Sequence, residues 1–306
     1  MSLLKKIFLL GLAIFLTTGC SLTKDSLEDA QIYTTVYPIE YLAKFLYSDY
    51  SNVESIYPNG ADISNYKLTE KQIKKYAKGD LFIYNGLSNE KTITKDLINK
   101  NDNLLIIDVS NGLNYTYDIE ELWMSPNNYL MLAKNIKDYL IEYLSSKSII
   151  NYVEQKYDEL SEILSLKDAD LRAIGKEAKE KGKNTLIVND DVFKFLENYG
   201  FEIISLDEKT LNESTLNLVK TNFEKEEYDT IFILDNNYTE EINNLIDEYE
   251  IKTISINSMT VFNENDDDYL MEMQQFIDEI RNLCLTVWNK KFMSNWLTIK
   301  YFYIRI

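Results

Sequence analysis

The longest periodic pattern of the chain covers residues 148–182, where apolar positions recur at helical spacing between charged ones. The apolar positions are Ile150, Val153, Tyr157, Leu160, Leu164, Leu171, Ile174 and Ala178. Lys167 is the one miss, and Gly175 is the only glycine before Gly182, where the pattern ends. A helix of this length rises about 50 Å, which exceeds what one small domain needs. We therefore predict a rigid helix that joins two lobes, with a coiled-coil partner helix as the alternative.

On both sides of this helix, short apolar runs alternate with amphipathic patterns. The runs predict strands at residues 31–37, 53–57, 81–85 and 104–109, and at 185–189, 201–206, 230–234 and 252–256. The amphipathic patterns predict helices at 40–47, 69–77 and 126–144, and at 190–199, 212–227, 238–249 and 266–284. Strands that alternate with helices are typical of parallel sheets. The predicted fold class is α/β, with one parallel sheet in each lobe and function in the cleft between them.

The first twenty residues have the pattern of an export signal. Lys5 and Lys6 precede an apolar run at residues 7–16, and Gly19 and Cys20 follow it. The run is too short for a stable membrane anchor, and its flanks are those of a secretory signal. The Gly-Cys junction resembles a bacterial lipobox, in which Cys20 carries lipid and becomes the new N-terminus. An ordinary signal peptide with an incidental cysteine is the alternative.

The predicted domain boundaries follow from these patterns. They are a signal peptide (1–19), a lipidated tether (20–30), an N-terminal lobe (31–147), the linking helix (148–182), a C-terminal lobe (183–286) and a basic, aromatic tail (287–306).

Composition narrows the function of the chain. Its 306 residues carry a formal net charge of −18, which disfavours nucleic acid as a partner because phosphates need a basic surface. It contains no histidine, so the usual neutral-pH general base and the commonest metal ligand are both absent. The glycine-rich nucleotide-binding motifs and the nucleophile motif of the serine hydrolases are also missing. We therefore predict that the protein is not an enzyme.

Four segments occur in an order and spacing that match a known family. They are Thr-Thr-Val-Tyr-Pro at residues 34–38, the turn at 58–66, Gly-Asp-Leu-Phe-Ile-Tyr-Asn-Gly at 79–86 and Leu-Trp-Met-Ser-Pro at 122–126. Together they resemble the zinc- and manganese-binding lipoproteins of bacterial ABC importers, also called lipoprotein adhesins, over roughly residues 31–285.

This resemblance implies two α/β lobes joined by one long helix. It also implies a monomeric, lipid-anchored solute-binding protein on the extracellular face of the bacterial cell membrane, with an ABC permease and its ATPase as partners. A surface adhesion or interaction lipoprotein that binds no metal is the alternative.

The resemblance also implies a ligand set at four strand ends that face the cleft. Matched residue by residue, the family's metal ligands fall at Ser64, Glu121, Asp190 and Asn257. All four offer oxygen, and every family histidine is replaced. The expected cargo is a manganese-like divalent cation or zinc, and oxygen ligands suit the harder ion better. The alternative is a polar cleft that has lost its metal.

Overall fold

A computed structural model describes residues 27–61, 63, 66–261 and 268–285. The predictions for the signal peptide, for lipidation of Cys20, for Ser64 and for the tail lie outside these residues. The predicted domain boundaries remain predictions.

The first lobe contains a parallel four-stranded sheet with the order β2-β1-β3-β4. Its elements are β1 (Ala30–Thr34), α1 (Tyr37–Tyr47), β2 (Ser51–Ser55), α2 (Glu70–Tyr76), β3 (Leu81–Tyr84), α3 (Glu90–Ile98), β4 (Leu105–Asp108), α4 (Glu121–Met124) and α5 (Pro126–Tyr143). The helices α3 and α4 are additions to the sequence-based prediction. The fold class is confirmed in this lobe.

The linking helix α6 (Lys147–Glu180) leads to a second parallel sheet, with the equivalent order β6-β5-β7-β8. The elements of this lobe are β5 (Thr185–Val188), a 3₁₀ helix (Asp191–Tyr199), β6 (Glu202–Ser205), α7 (Glu213–Glu224), β7 (Thr230–Leu234), α8 (Glu240–Tyr249), β8 (Lys252–Ile256) and α9 (Tyr269–Leu285). The α/β fold with two parallel sheets and one long joining helix is therefore confirmed.

Local chemistry explains where several helices begin. Pro38 lies in the first turn of α1, where its fixed φ and missing N–H are tolerated, so β1 ends earlier than predicted. Thr69 and Gln72 form a capping box at the start of α2: each side chain bonds the other residue's backbone N–H. Asp190 caps the segment 191–199, where the helix that the sequence predicts is a 3₁₀ helix.

The helix α6 explains both irregularities in its sequence pattern. Lys167 is only 8% exposed, and its ammonium donates a 2.8 Å hydrogen bond to the Oε1 atom of Gln274 on α9. A Cβ at Gly175 would lie 2.0 Å from the carbonyl oxygen of Tyr199, so only glycine permits this contact with the 3₁₀ helix. Tyr199 also donates a 2.8 Å hydrogen bond to the Oδ1 atom of Asp168 on α6. The helix is therefore bonded directly to the second lobe.

One apolar core extends through both lobes and includes Phe82 from β3 and Phe232 from β7. The stacked rings of Tyr129 on α5 and Tyr269 on α9, with centroids 4.5 Å apart, belong to it. The buried thiol of Cys284 lies in the same core. A smaller cluster lies within the second lobe. None of the helices in the described ranges has the length and apolar character that crossing a membrane requires.

Candidate functional site

The carboxyl ends of both sheets border a cavity of about 940 Å³. In each sheet, the second strand along the chain lies on one side of the first strand, and the third strand lies on the other side. The strand order therefore reverses direction beside the first strand, and such a reversal is a topological switch point. Val36 and Asn85 follow β1 and β3 in the first lobe, and Asp235 and Asn257 follow β7 and β8 in the second. The cavity thus lies where open α/β sheets bind their ligands.

Carboxylates supply much of the lining of this cavity. They are Glu90, Glu120, Asp235, Glu272 and Glu279. No lysine or arginine of the described residues lines it. A cleft lined by charges of one sign focuses the electrostatic field and concentrates ions of the opposite sign. The cavity therefore favours cations.

Trp123 contributes an apolar ring to the lining of the cavity and is only 2% exposed. Its indole N–H donates a 2.9 Å hydrogen bond to the carbonyl oxygen of Ser258 in the second lobe. Its own carbonyl oxygen accepts a 2.8 Å hydrogen bond from the hydroxyl of Tyr269. Two hydrogen bonds to the second lobe thus hold this residue of the first lobe in place.

The loops after β7 and β8 are held in unusual backbone conformations. Asp235, Asn236 and Met259 have φ values of 49°, 55° and 60°, a region that residues with a Cβ seldom occupy. Two side chains hold these loops in place. Asp235 Oδ1 accepts the N–H of Ser258, and Asn257 Oδ1 accepts the N–H of Met259, each at 2.8 Å. Strain held by such contacts is typical of preorganised ligand sites.

Glu121, the predicted ligand from the first lobe, is turned toward its own loop. It is 7% exposed, and its Oε2 atom accepts the backbone N–H groups of Thr116 and Tyr117 at 3.0 and 3.3 Å. The preceding residue, Glu120, lines the cavity instead. The sequence-based prediction did not include Glu120. The only sequence signal for it was its position directly before Glu121, as a second acidic residue.

The carboxyl group of Glu120 lies in an electrostatically unfavourable place. Loss of solvation, the largest cause, together with the charges of Asp118 and Asp190, raises its pKa to about 8. Asp190 belongs to the second lobe, so carboxylates of the two lobes act electrostatically on one another.

Asp190 follows β5 and accepts the N–H of Val192 at 2.8 Å. Loss of solvation raises the pKa of Asp190, and the charges of Asp207 and Asp118 add to the effect. Asp190 is therefore one of several acidic groups whose charges act on one another across the boundary between the lobes. A divalent cation placed among such groups relieves their mutual repulsion.

The predicted ligand set remains a prediction as a whole. Asn257 lines the cavity, Asp190 lies near Glu120, and Glu121 is bonded to its own loop. Ser64 lies outside the described residues. Within the described part of the chain, no group of three histidine, cysteine, aspartate or glutamate residues has an arrangement that holds a metal ion.

Comparison with known proteins points to one family. The model of the ZnuA family, described as zinc-uptake complex component A, periplasmic, matches residues 32–283. A metal ABC transporter substrate-binding lipoprotein of Lactococcus lactis subsp. lactis (strain IL1403) is 26% identical over 297 residues, covering 88% of this chain and 93% of that protein. The manganese ABC transporter substrate-binding lipoprotein scaA of Streptococcus gordonii is 28% identical over 201 residues, covering 58% of this chain and 60% of that protein.

Solved structures show the same fold. The metal-dependent lipoprotein YcdH from Bacillus subtilis superposes with a TM-score of 0.70 at 20% identity, covering 84% of this chain and all of that one (100%). Zn(II)-bound AdcA from Streptococcus pneumoniae gives a TM-score of 0.67 at 20% identity, covering 84% of this chain and 58% of that one.

Proposed function

Because the chain belongs to the zinc-uptake complex component A family, we propose that it is the solute-binding lipoprotein of a metal ABC importer. It captures a divalent cation in the cleft between its lobes and delivers the ion to the permease. The observation that carries this proposal is the cavity at the carboxyl ends of both sheets, which carboxylates line and which no basic side chain of the described residues enters.

The donor set favours a hard cation as cargo. Carboxylate and amide oxygens are the ligands of manganese, magnesium and calcium, whereas zinc and copper prefer imidazole or thiolate. Asp190 and one carboxylate from the start of α4, Glu121 or Glu120, supply two negative charges for one divalent ion. Asn257 adds an amide oxygen, which also accepts the N–H of Met259, and Ser64 adds a hydroxyl. A manganese-like ion fits this set better than zinc.

The linking helix and the shared core limit how the lobes can move. The helix α6 packs against α5 in the first lobe and against α9. Opening the cleft widely would separate Trp123 from Ser258 and expose apolar surface that both lobes bury. Binding and release therefore proceed through small rearrangements of the cleft loops, and not through wide hinge closure.

The remaining parts of the proposal concern the setting of the protein. Lipid on Cys20 anchors it at the extracellular face of the bacterial cell membrane, where it acts as a monomer beside a permease and its ATPase. Several relatives are named for metal transport, which supports this function over that of a surface adhesion protein. The role is one of binding and delivery, not catalysis.

Calorimetric titration of Mn²⁺ into the full chain tests the proposal. The protein is purified in detergent, without a histidine tag and in metal-free buffer. We expect saturable binding by the wild type and at least roughly tenfold weaker binding by Asp190→Asn, since an anionic ligand is lost. Asp247→Asn on the exposed face of α8 is the charge-matched control and retains wild-type binding.

Paired variants then decide which N-terminal carboxylate binds the ion. If Glu120 is the ligand, Glu120→Gln weakens binding while Glu121→Gln preserves it, and the reverse holds for Glu121. Absence of binding by the wild type contradicts the proposed function.

A further inference from the structure

Lys209 lies in the loop after β6, at the boundary between the lobes. Its backbone N–H donates a 2.8 Å hydrogen bond to the Oδ1 atom of Asp207, which fixes the start of the side chain. Its ammonium nitrogen lies 3.6 Å from the Oδ2 atom of Asp118 in the first lobe. The ion pair therefore crosses from one lobe to the other.

The ammonium of Lys209 also interacts with the acidic groups that surround Asp190. The charges of Asp118, Asp207 and Asp190 raise the pKa of Lys209. In return, Lys209 lowers the pKa of Asp190, against the effects of burial and of the carboxylates nearby. Asp190 itself is one of the charges that act on Glu120. Lys209 is thus a positive charge inside the field of the interlobe carboxylates.

Another cation of this lobe, Lys194, is engaged elsewhere. Lys194 pairs with Asp191 at 2.7 Å, and its ammonium lies 5.6 Å from the ring centroid of Tyr117. Lys209, in contrast, has a largely exposed side chain, with a relative accessibility of 75%. An exposed ion pair of this kind contributes little to stability and is readily broken. The ammonium can therefore leave its place without disturbing the fold.

We propose that the ammonium of Lys209 is an internal counter-ion for the carboxylates of Asp118 and Asp190, and that an incoming divalent cation displaces it. The inference rests on the proposed function, because it assigns the residue a role in cation capture at the same interlobe site. In the metal-free protein the tethered charge reduces repulsion between the lobes. When the ion arrives, the ammonium of Lys209 moves away from these carboxylates.

This arrangement gives the site a charge-based selectivity. Exchange of the ammonium for a monovalent ion replaces one positive charge with another, so the carboxylates gain no electrostatic stabilisation. Exchange for a divalent ion adds a net positive charge among several negative groups. The ammonium of Lys209 competes with every cation that approaches these carboxylates. Divalent ions therefore displace it more readily than monovalent ions do, which makes the site selective for divalent ions.

Titration of Mn²⁺ into wild type, Lys209→Gln and Lys220→Gln tests this inference. Lys220 is the matched control, because it lies in the same lobe and pairs with Glu241 at 3.5 Å on neighbouring helices. We expect Lys209→Gln to bind Mn²⁺ about three- to tenfold more tightly than the wild type and to lose affinity more steeply with added NaCl. Lys220→Gln stays within about twofold of the wild type. Equal or weaker binding by Lys209→Gln overturns the inference and leaves the proposed function standing.

Thermal unfolding in chelator provides a second readout that needs no bound ion. The single ion pair with Asp118 is weak, but the ammonium of Lys209 also offsets the charges of Asp207 and Asp190, so Lys209→Gln unfolds at a slightly lower temperature than Lys220→Gln, which loses only its pair with Glu241. If no variant binds Mn²⁺, the proposed function fails, and the unfolding comparison alone decides the counter-ion role. Equal unfolding temperatures for the two variants overturn it.

Discussion

The indole N–H of Trp123 and the carbonyl oxygen of Ser258 form a 2.9 Å hydrogen bond that joins the two lobes at the edge of the cleft. Both residues line the cavity, and both are almost fully buried. The bond therefore links the α4 helix of the first lobe to the loop after β8.

Trp123→Phe removes this donor and leaves the Ser258 carbonyl oxygen buried without its partner. We expect the free energy of unfolding to fall by at least about 1–3 kcal/mol, the cost of an unsatisfied buried polar group. Urea unfolding measures it. Tyr238→Phe is the control, because its hydroxyl is exposed and contacts Thr253 at 3.2 Å. A Trp123→Phe protein as stable as the Tyr238→Phe control would show that the interlobe bond contributes nothing.

The glycine inside α6 provides a second prediction. Alanine is favoured over glycine in a helix by about 1 kcal/mol, so Gly175→Ala ought to stabilise an isolated helix. Here the new Cβ would lie 2.0 Å from the Tyr199 carbonyl oxygen, a backbone atom. We expect a net destabilisation of at least about 1 kcal/mol, as for other overpacked sites.

Thermal or urea unfolding of Gly175→Ala checks this prediction. Ser165→Ala, on the exposed face of the same helix, is the matched control and keeps or slightly raises stability. A stabilising Gly175→Ala substitution would mean that α6 does not approach the 3₁₀ helix closely.

Glu90 provides a prediction about pH. The side chain is 4% exposed, and its Oε2 atom accepts the Asn85 N–H at 2.9 Å. Burial raises its pKa from 4.5 to about 7, the Asp108 carboxylate adds to the rise, and the bond from Asn85 opposes it. The buried hydroxyl of Thr35 faces the same carboxyl outside hydrogen-bond geometry.

Because the folded pKa is the higher one, the folded state binds more protons between pH 4.5 and about 7. The contribution of Glu90 to stability is therefore fully present below pH 4.5 and is lost as pH rises through 7. Glu90→Gln removes this dependence. Urea unfolding gives the free energy of unfolding of both proteins at pH 4.5 and at pH 8. Relative to the wild type, the free energy of unfolding of Glu90→Gln should be higher at pH 8 than at pH 4.5 by up to about 3 kcal/mol. A constant difference between the two proteins would contradict the raised pKa.

The regular parts of the fold were predictable because their patterns are long or strongly apolar. The pattern at residues 148–182 predicted α6, which occupies Lys147–Glu180. The strand runs were located to within a few residues. The helix α3 was missed because most of its positions are polar, and its buried face consists of Glu90, Thr94 and Leu97. A face of this composition has no clear apolar period.

Among the candidate site residues, sequence predicts the position in the fold only of those that follow strands. Asp190 and Asn257 follow strands, so parallel topology predicts their side of the sheet. Which of Glu120 and Glu121 points into the cavity depends on how the short helix α4 is rotated about its axis. Successive side chains of a helix point in directions about 100° apart. Glu272 and Glu279 reach the cavity from α9 through distant helix packing. Local sequence does not encode that packing.

The most direct test of cation capture is elemental analysis of the full chain, purified without chelator and without a histidine tag, from cells supplied with manganese and zinc. The account predicts about one divalent ion per chain, with manganese favoured over zinc. It also predicts that Asp190→Asn retains much less of either metal. A wild-type protein that contains no divalent ion, and takes up none on subsequent titration, would contradict the account.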